Sequence, residues 1–345
     1  MAITAGLDVG GAHLKVAVVE GAGVRDARQF VCPLWQGLDK LDTALAAASE
    51  LTARASRVAI TMTGELSDLF SDRRTGVETL VTRLGAAFGS RASYWMAPGS
   101  FASADVAIAN AASVGSVNFL ATAALVAGYH ADAILIDMGS TTTDIIPIRG
   151  GRPVPRGLTD RERQATGELV YTGLTRTAVM GIMDRAPFKG RWVTPAREYL
   201  ATMADVRRVL GDPLSGIDLH ATADGRGKSL WESVARLSRM LGCDGSEASL
   251  DEWRVVARFI VQEQRRSIED GLCLVLSNAP PPSHAPAVVA GIGAGEAALI
   301  AERASLPAIP LCQLIGATGA LATAVNHNAP AVAVALLLDT SQTVS

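Results

Sequence analysis

Two short apolar runs, residues 3–9 and 14–19, flank Gly10-Gly11 near the start of the chain and predict a β-hairpin. Its turn needs either free φ or a close backbone approach, and glycine permits both. Gly21 and Gly23 then turn the chain into a third strand near residues 28–33. Residues 38–53 have helical periodicity and lead to a buried strand over 57–62, which stops at Thr63-Gly64-Glu65. An amphipathic helix over 75–88, a strand over 92–96 and a long small-residue helix over about 103–128 follow.

The opening pattern then returns. "AILIDMGSTTTDIIPI", residues 133–148, is again strand, Asp-x-Gly turn and strand, with Gly150-Gly151 as the next turn. This is an internal duplication of architecture in which hydroxyl residues stand where the first copy carries His13 and Lys15. Residues 158–257 read as mostly helical and more polar, and Pro280-Pro281-Pro282 as an exposed connection. A strand over 287–290 enters the glycine turn Gly291-Ile292-Gly293-Ala294-Gly295 and a helix, and a helix over 315–326 and a strand over 331–338 close the chain. Burying both apolar hairpins under helices predicts two α/β domains with the turns facing each other across a cleft.

The 345 residues suffice for two such domains, and the hydrophobic fraction of 49%, the charged fraction of 19% and the net charge of -3 describe a soluble globular protein. That balance gives no reason to expect nucleic acid as a partner. The longest apolar stretches, residues 119–127 and 329–338, fall short of the ~20 residues that cross a bilayer. Asp8 and Lys15 interrupt the first apolar stretch, so a signal peptide is not expected. Cys32, Cys243, Cys273 and Cys312 have no metal-ligand spacing and read as reduced, mostly buried thiols, in keeping with a cytoplasmic location.

Candidate chemistry concentrates in the turns. A strand ending in Asp8 and followed by Gly10 and Gly11 offers backbone N–H groups to phosphate oxygens, with a carboxylate at the lip for a hydrated divalent cation. Alone, such a turn is as readily an ordinary hairpin. The second copy strengthens the reading, since Asp137, Gly139, Ser140, Thr141, Thr142 and Thr143 add hydroxyl donors and Asp144 another carboxylate. The turn at Gly291 and Gly293 resembles part of a dinucleotide fingerprint, but no acidic ribose partner follows at the expected distance, and a nicotinamide site fits poorly. His13 suits a turn position or a phosphate donor equally well. His130, His220, His284 and His327 have no metal spacing and read as surface or satisfied histidines. Glu168 reads as a helix N-terminal acid, and Arg207-Arg208 and Arg265-Arg266 as solvated helix faces.

The paired turns, the interleaved helices and the late glycine turn resemble the sugar kinase, heat-shock ATPase and actin superfold. More narrowly, "GLDVGGAHLKVA", "TMTGELSDLF", "SVNFLATAALVA", "LIDMGSTTTDIIPI", "GELVYTGLTRTAV", "YLATMADVRRVLGD" and "ARLSRMLGCD" resemble its hydantoinase and oxoprolinase branch. Within that branch they are similar to tetrahydromethanopterin-linked one-carbon pathway proteins and to the methanofuran-biosynthesis synthases. That pattern usually carries Asn where this chain has His13.

The resemblance implies a two-domain actin-like ATPase (ribonuclease H-like) superfold. Residues 1–128, completed by 315–345, would form one domain and residues 129–314 the other, with a helical insertion. It also implies a transferase of methanofuran or methylofuran biosynthesis. Such an enzyme condenses an (aminomethylfuranyl)methyl diphosphate donor with the phenol of a γ-glutamyl-tyramine or tyrosine acceptor and releases diphosphate. On that reading Asp8, Asp137 and Asp144 would orient Mg²⁺ through water. Lys15, His13, Gly10, Gly11, Gly139, Ser140, Thr141, Thr142, Gly291 and Gly293 would hold the diphosphate. Glu65, at a strand end, would take the phenol's proton. Two rival readings share the superfold: an ATP-dependent kinase or amidohydrolase-type subunit, with the Gly291 turn near adenosine, and a nucleotide-sensing protein of actin type.

Overall fold

β1 (Ile3–Val9) and β2 (His13–Glu20) form the expected antiparallel hairpin, and β3 (Gly23–Val31) pairs with β2. The structure is a computed structural model that describes residues 2–21, 23–278 and 280–341. Next come α1 (Asp39–Ala47), α2 (Ser49–Thr52), β4 (Arg57–Met62), α3 (Arg73–Phe88), β5 (Ala92–Met96), β6 (Ser100–Ala102), α4 (Ala104–Ala109) and α5 (Asn118–Ala127). β7 (Ala133–Met138) and β8 (Thr143–Arg149) repeat the hairpin, followed by β9 (Arg152–Pro153), α6 (Asp160–Ala165) and β10 (Leu169–Val170). A lobe of β11 (Ala186–Phe188), β12 (Arg191–Val193), α7 (Met203–Leu210), α8 (Leu230–Met240) and the start of α9 (Leu250–Asn278) is inserted there. β13 (Ala287–Ala290), α10 (Ala294–Arg303), β14 (Ala308–Pro310), α11 (Leu311–Leu314), α12 (Gly319–His327) and α13 (Ala329–Thr340) complete the chain.

The two large sheets repeat one plan. The first runs β3-β2-β1-β4-β5-β6 and the second β10-β8-β7-β13-β14, each an antiparallel hairpin whose first strand continues into parallel neighbours. This is the α/β superfold that the duplicated turns predict. Parallel strands are covered on both faces, and β1 and β7 are accordingly buried almost throughout. On its outer face the first sheet packs Leu7, Val16 and Ile60 against Leu41, Val77 and Leu80 of α1 and α3. Its inner face meets α13, and the second sheet's inner face meets α5. One apolar cluster therefore joins Ala17 and Ala59 to Leu135 and Val288 through Phe119, Val332 and Val334. On its outer face the second sheet packs Ile134 and Ile136 against Ile268 and Leu272 of α9 and Ala297 and Ile300 of α10.

Several elements differ from the sequence expectation. Residues 331–338 are helix, not strand: α13 is buried on nearly every side, and a short, wholly apolar run carries no period to tell strand from buried helix. The helix expected over 103–128 breaks into α4 and α5, separated by residues 110–117. The third strand begins earlier, at Gly23, and the helix over 38–53 splits into α1 and α2. The middle region holds three short strands and long irregular stretches besides its helices. Met1 and residues 342–345 of the expected first domain lie outside the described residues. Among the described residues no single helix is long and apolar enough to cross a membrane.

α13 approaches β1 so closely that a Cβ on Gly6 would lie 2.0 Å from the carbonyl oxygen of Ala331 and 2.8 Å from Ala335 Cβ. Gly6→Ala should therefore force the helix off the sheet and cost roughly 1–3 kcal/mol or more of stability. Urea unfolding would check this: a lowered midpoint is expected, and an unchanged one would contradict the packing.

Candidate active site

Equivalent register positions of the two hairpins face one cavity of about 490 Å³. In the first hairpin Asp8 pairs across with Lys15, and in the second Asp137 pairs across with Asp144. Lys15 thus occupies in one copy the place that Asp144 fills in the other. Both turns close alike, Gly10 N–H donating to His13 C=O and Gly139 N–H to Thr142 C=O, each at 2.9 Å. Neither Gly10, Gly11 nor Gly139 has positive φ. At Gly10 a close approach is what requires glycine, since a Cβ would sit 3.0 Å from the His13 carbonyl oxygen.

The loop after β10 fixes the second turn. Leu174 N–H donates to Gly139 C=O, and Arg176 N–H to Ser140 C=O, at 2.9 and 2.8 Å. Gly173 lies directly beneath, where a Cβ would come within 2.5 Å of Ser140 C and Thr141 N. Turn carbonyls are thereby occupied, whereas the N–H groups of Gly11, Ala12, Ser140 and Thr141 find no backbone acceptor among the described residues. Free N–H groups on residues that line a cavity are what an anion cradle requires.

Charge is concentrated at the cavity floor. Lys15 Nζ lies 3.2 Å from Asp8 Oδ2, while Asp8 Oδ1 is buried without a partner. Burial pulls the lysine's pKa down, but Asp8 and Asp137 more than offset it, so the ammonium stays above its usual range. Asp144 is paired with Arg163, whose guanidinium lies 3.6 Å from the centre of the Phe119 ring. Among the described residues Asp137 has no cation of its own within ion-pair distance. Burial pushes its carboxyl up to about 7, with Asp144 and Asp8 adding to the effect and Lys15 opposing it. An orphaned carboxylate oxygen and an acid whose pKa lies near neutrality are donors that would suit a divalent cation. Among the described residues no three His, Cys, Asp or Glu side chains gather closely enough to ligate one ion directly. A Mg²⁺ ion here would therefore be held by Asp8, Asp137 and Asp144 through its water shell, which that ion sheds reluctantly.

The cleft includes residues that sequence reasoning passed over. Arg176 lines it, donates to Thr141 Oγ1 at 3.1 Å and lies 5.3 Å from the centre of the Trp35 ring. It has no carboxylate partner among the described residues, so its charge is available to a ligand. His220 is not a detached surface histidine. Its Nε2 lies 3.1 Å from His13 Nε2, bringing the 211–229 loop onto the first turn. Only spatial contact reveals either role, although Arg176 stands inside the "GELVYTGLTRTAV" stretch.

Other expected positions lie elsewhere. Glu65 is wholly buried behind the cleft wall, with Oε1 accepting a 2.5 Å hydrogen bond from Ser116 Oγ, and burial raises its pKa. Gly291 and Gly293 are packed behind β7, where a Cβ would come 2.5 Å from Asp137 Oδ1 and Met138 Cγ respectively, and they do not line the cavity. Glu168 is no helix N-terminal acid. It is buried before β10, where its Oε1 accepts from Arg156 N–H at 2.7 Å. Arg207, Arg208 and Arg265 are not solvated: Glu296 holds Arg207 and Arg265, and Asp205 holds Arg208. Only Arg266 stays on an exposed face. Of the cysteines only Cys32 is buried.

The two histidines give a pH prediction. Burial first, then the neighbouring positive groups, lower His13 to about 3 and His220 to about 4, against 6.5 for free histidine. Between pH 4 and 6.5 the unfolded chain therefore binds protons that the folded one refuses. The histidine contribution to stability is full above 6.5 and is lost as the pH falls toward 4, by up to about 1.4 kcal/mol per pH unit for each group. His220→Gln should flatten this acid limb when urea midpoints are compared from pH 4 to 7, and an unchanged slope would contradict the assignment.

Residues 56–328 match the hydantoinase/oxoprolinase family. The chain is 33% identical over 248 residues, 72% of its length and 74% of the relative's, to the (4-{4-[2-(γ-L-glutamylamino)ethyl]phenoxymethyl}furan-2-yl)methanamine synthase of Methanocaldococcus jannaschii. A synthase of the same name from Methanococcus vannielii is 38% identical over 122 residues, 35% of this chain and 54% of that relative. Solved structures with a related arrangement include a glucokinase from Streptomyces griseus, at TM-score 0.47 and 17% identity over 97% of this chain and 98% of that one. Component A of the Acidaminococcus fermentans (R)-2-hydroxyglutaryl-CoA dehydratase has TM-score 0.45 and 10% identity over 99% of this chain and all of that one. With the family matched across most of its length, the chain belongs to the hydantoinase/oxoprolinase family.

Proposed function

We propose that this enzyme joins the phenol of a γ-glutamyl-tyramine-type acceptor to an (aminomethylfuranyl)methyl diphosphate, forming an aryl ether and releasing diphosphate. The observation that carries the reading is the 33% identity, over 72% of the chain, to a synthase whose name contains that phenoxymethylfuran linkage. The cleft chemistry agrees with it. A diphosphate leaves only if its growing negative charge is met. Here the two turns supply N–H and hydroxyl donors, while Lys15 at the floor and Arg176, which has no carboxylate partner among the described residues, supply fixed positive charge. A Mg²⁺ ion, when bound, would supply further charge neutralisation at the leaving oxygen.

The acceptor needs the opposite help. A phenol with an ordinary pKa of about 10 is a weak nucleophile until it loses its proton, and Glu65, buried just outside the cleft, is the group we assign to receive that proton indirectly. As the phenol oxygen attacks the furanylmethyl carbon, the carbon–oxygen bond to diphosphate breaks and its electron pair departs with the leaving group. ATP has no part in this balance.

Incubating the protein with the furan diphosphate and γ-glutamyl-tyramine, with and without ATP, tests the proposal by mass spectrometry. Ether and equimolar diphosphate are expected in both samples, with turnover lowered by roughly 10²-fold or more in Asp137→Asn and in Arg176→Met. Phosphorylated acceptor with ATP consumption, or no ether at all, would overturn the reading.

A further inference from the structure

Glu65 is wholly buried and does not line the cleft, so it cannot touch an acceptor directly. The chain nevertheless goes to some length to hold it. At Gly76 a Cβ would lie 2.3 Å from the Glu65 carbonyl oxygen, and at Gly115 one would lie 2.9 Å from Oε1, so side chains are excluded on two sides of it. Its compensation is thin: Arg73 Nε is 3.8 Å away and Oε2 has no hydrogen-bond partner. A carboxyl kept only for stability would be poorly served here, because burying a polar group without partners costs free energy.

What connects Glu65 to the cleft is Ser116. This residue lines the cavity, and its Oγ donates to Glu65 Oε1 at 2.5 Å. Its backbone sits at φ 54°, a left-handed conformation that serine rarely adopts. Residues held in such conformations gather at functional sites. The break between α4 and α5 falls at this point, and it makes Ser116 both a residue of the cavity lining and the hydroxyl partner of the carboxylate behind it.

We propose that Ser116 is the catalytic residue that meets the acceptor hydroxyl, and that Glu65 acts through it as the proton's destination. The inference rests on the ether-forming reading above. In the step, the phenol O–H proton passes to Ser116 Oγ while the serine's own proton passes to Glu65 Oε1. The phenolate oxygen forms its bond to the furanylmethyl carbon, and the diphosphate departs with the electron pair of the broken bond. Glu65, left as the neutral acid, returns its proton through Ser116 to the departing products or water. Charged groups facing Glu65 are Arg73 from α3 and Asp160 from α6. Asp160 also lines the cleft, as does Asp68, and these are the competing candidates for direct base.

Ser116→Gly suits the left-handed backbone and removes the hydroxyl, and Ser116→Ala removes it while keeping Cβ. Both would be compared with Glu65→Gln, with thermal melting to confirm folding. Turnover should fall about 10²–10⁴-fold in each, donor KM should hold, and the Ser116→Gly/Glu65→Gln pair should be little worse than either alone. The defect should shrink along a series of ring-fluorinated acceptors of falling phenol pKa. A defect independent of phenol acidity, additive losses, or rescue by acidic phenols confined to Asp68→Asn or Asp160→Asn would overturn the relay. If the unaltered protein makes no ether, the functional reading falls and takes this inference with it. Ether formation with an unresponsive Ser116 sinks the relay alone.

Discussion

Three aspartates and two cations are held together at the floor of the cleft, and the fold is arranged around that concentration of charge. Lys15 answers Asp8, and Arg163 answers Asp144, which leaves Asp137 with no ion-pair partner among the described residues and only the longer-range field of Lys15. Like charges brought this close out of water repel strongly unless something neutralises them. Such a floor needs neutralising, by a proton on Asp137 or, on the reading we propose, by a hydrated cation that arrives with a polyanion. The identical register of the two hairpins is what places these groups opposite one another.

That requirement explains the packing behind the floor. The small residues of α13 let it lie on β1 over Gly6, and α5 fills the equivalent position on the second sheet, so one apolar cluster ties both hairpins to a common base. Above the floor the walls differ. One carries Arg176 against Trp35 beside the His13–His220 contact, and another carries Ser116 with Glu65 behind it. A cationic, aromatic side and a side with proton-accepting capacity suit a reaction in which an anion departs from one place and a proton is lost at another.

Much of this was legible in the sequence, for a physical reason. The spacing from Asp8 to Lys15 and from Asp137 to Asp144 recurs, and strand alternation around a glycine turn is a local property, so the hairpins and their acids could be read directly. The wholly apolar segment that became α13 had no period to read, and its burial depends on Gly6, more than 300 positions away. Arg176 and His220 acquire their places only when the second lobe folds over the first turn. Glu65 stood out at its strand end, yet its burial is decided by Gly76, Gly115 and the left-handed Ser116, a conjunction of distant residues that no linear pattern announces.

The central claim is that the cleft stabilises a departing diphosphate while a phenol oxygen attacks carbon, rather than transferring phosphate to that oxygen. Following an ¹⁸O label placed in the acceptor's phenol decides between these most directly. The account predicts that the label stays in the aryl ether and that the released diphosphate carries none. Label bonded to phosphorus, or an ether that has lost it, would contradict the account.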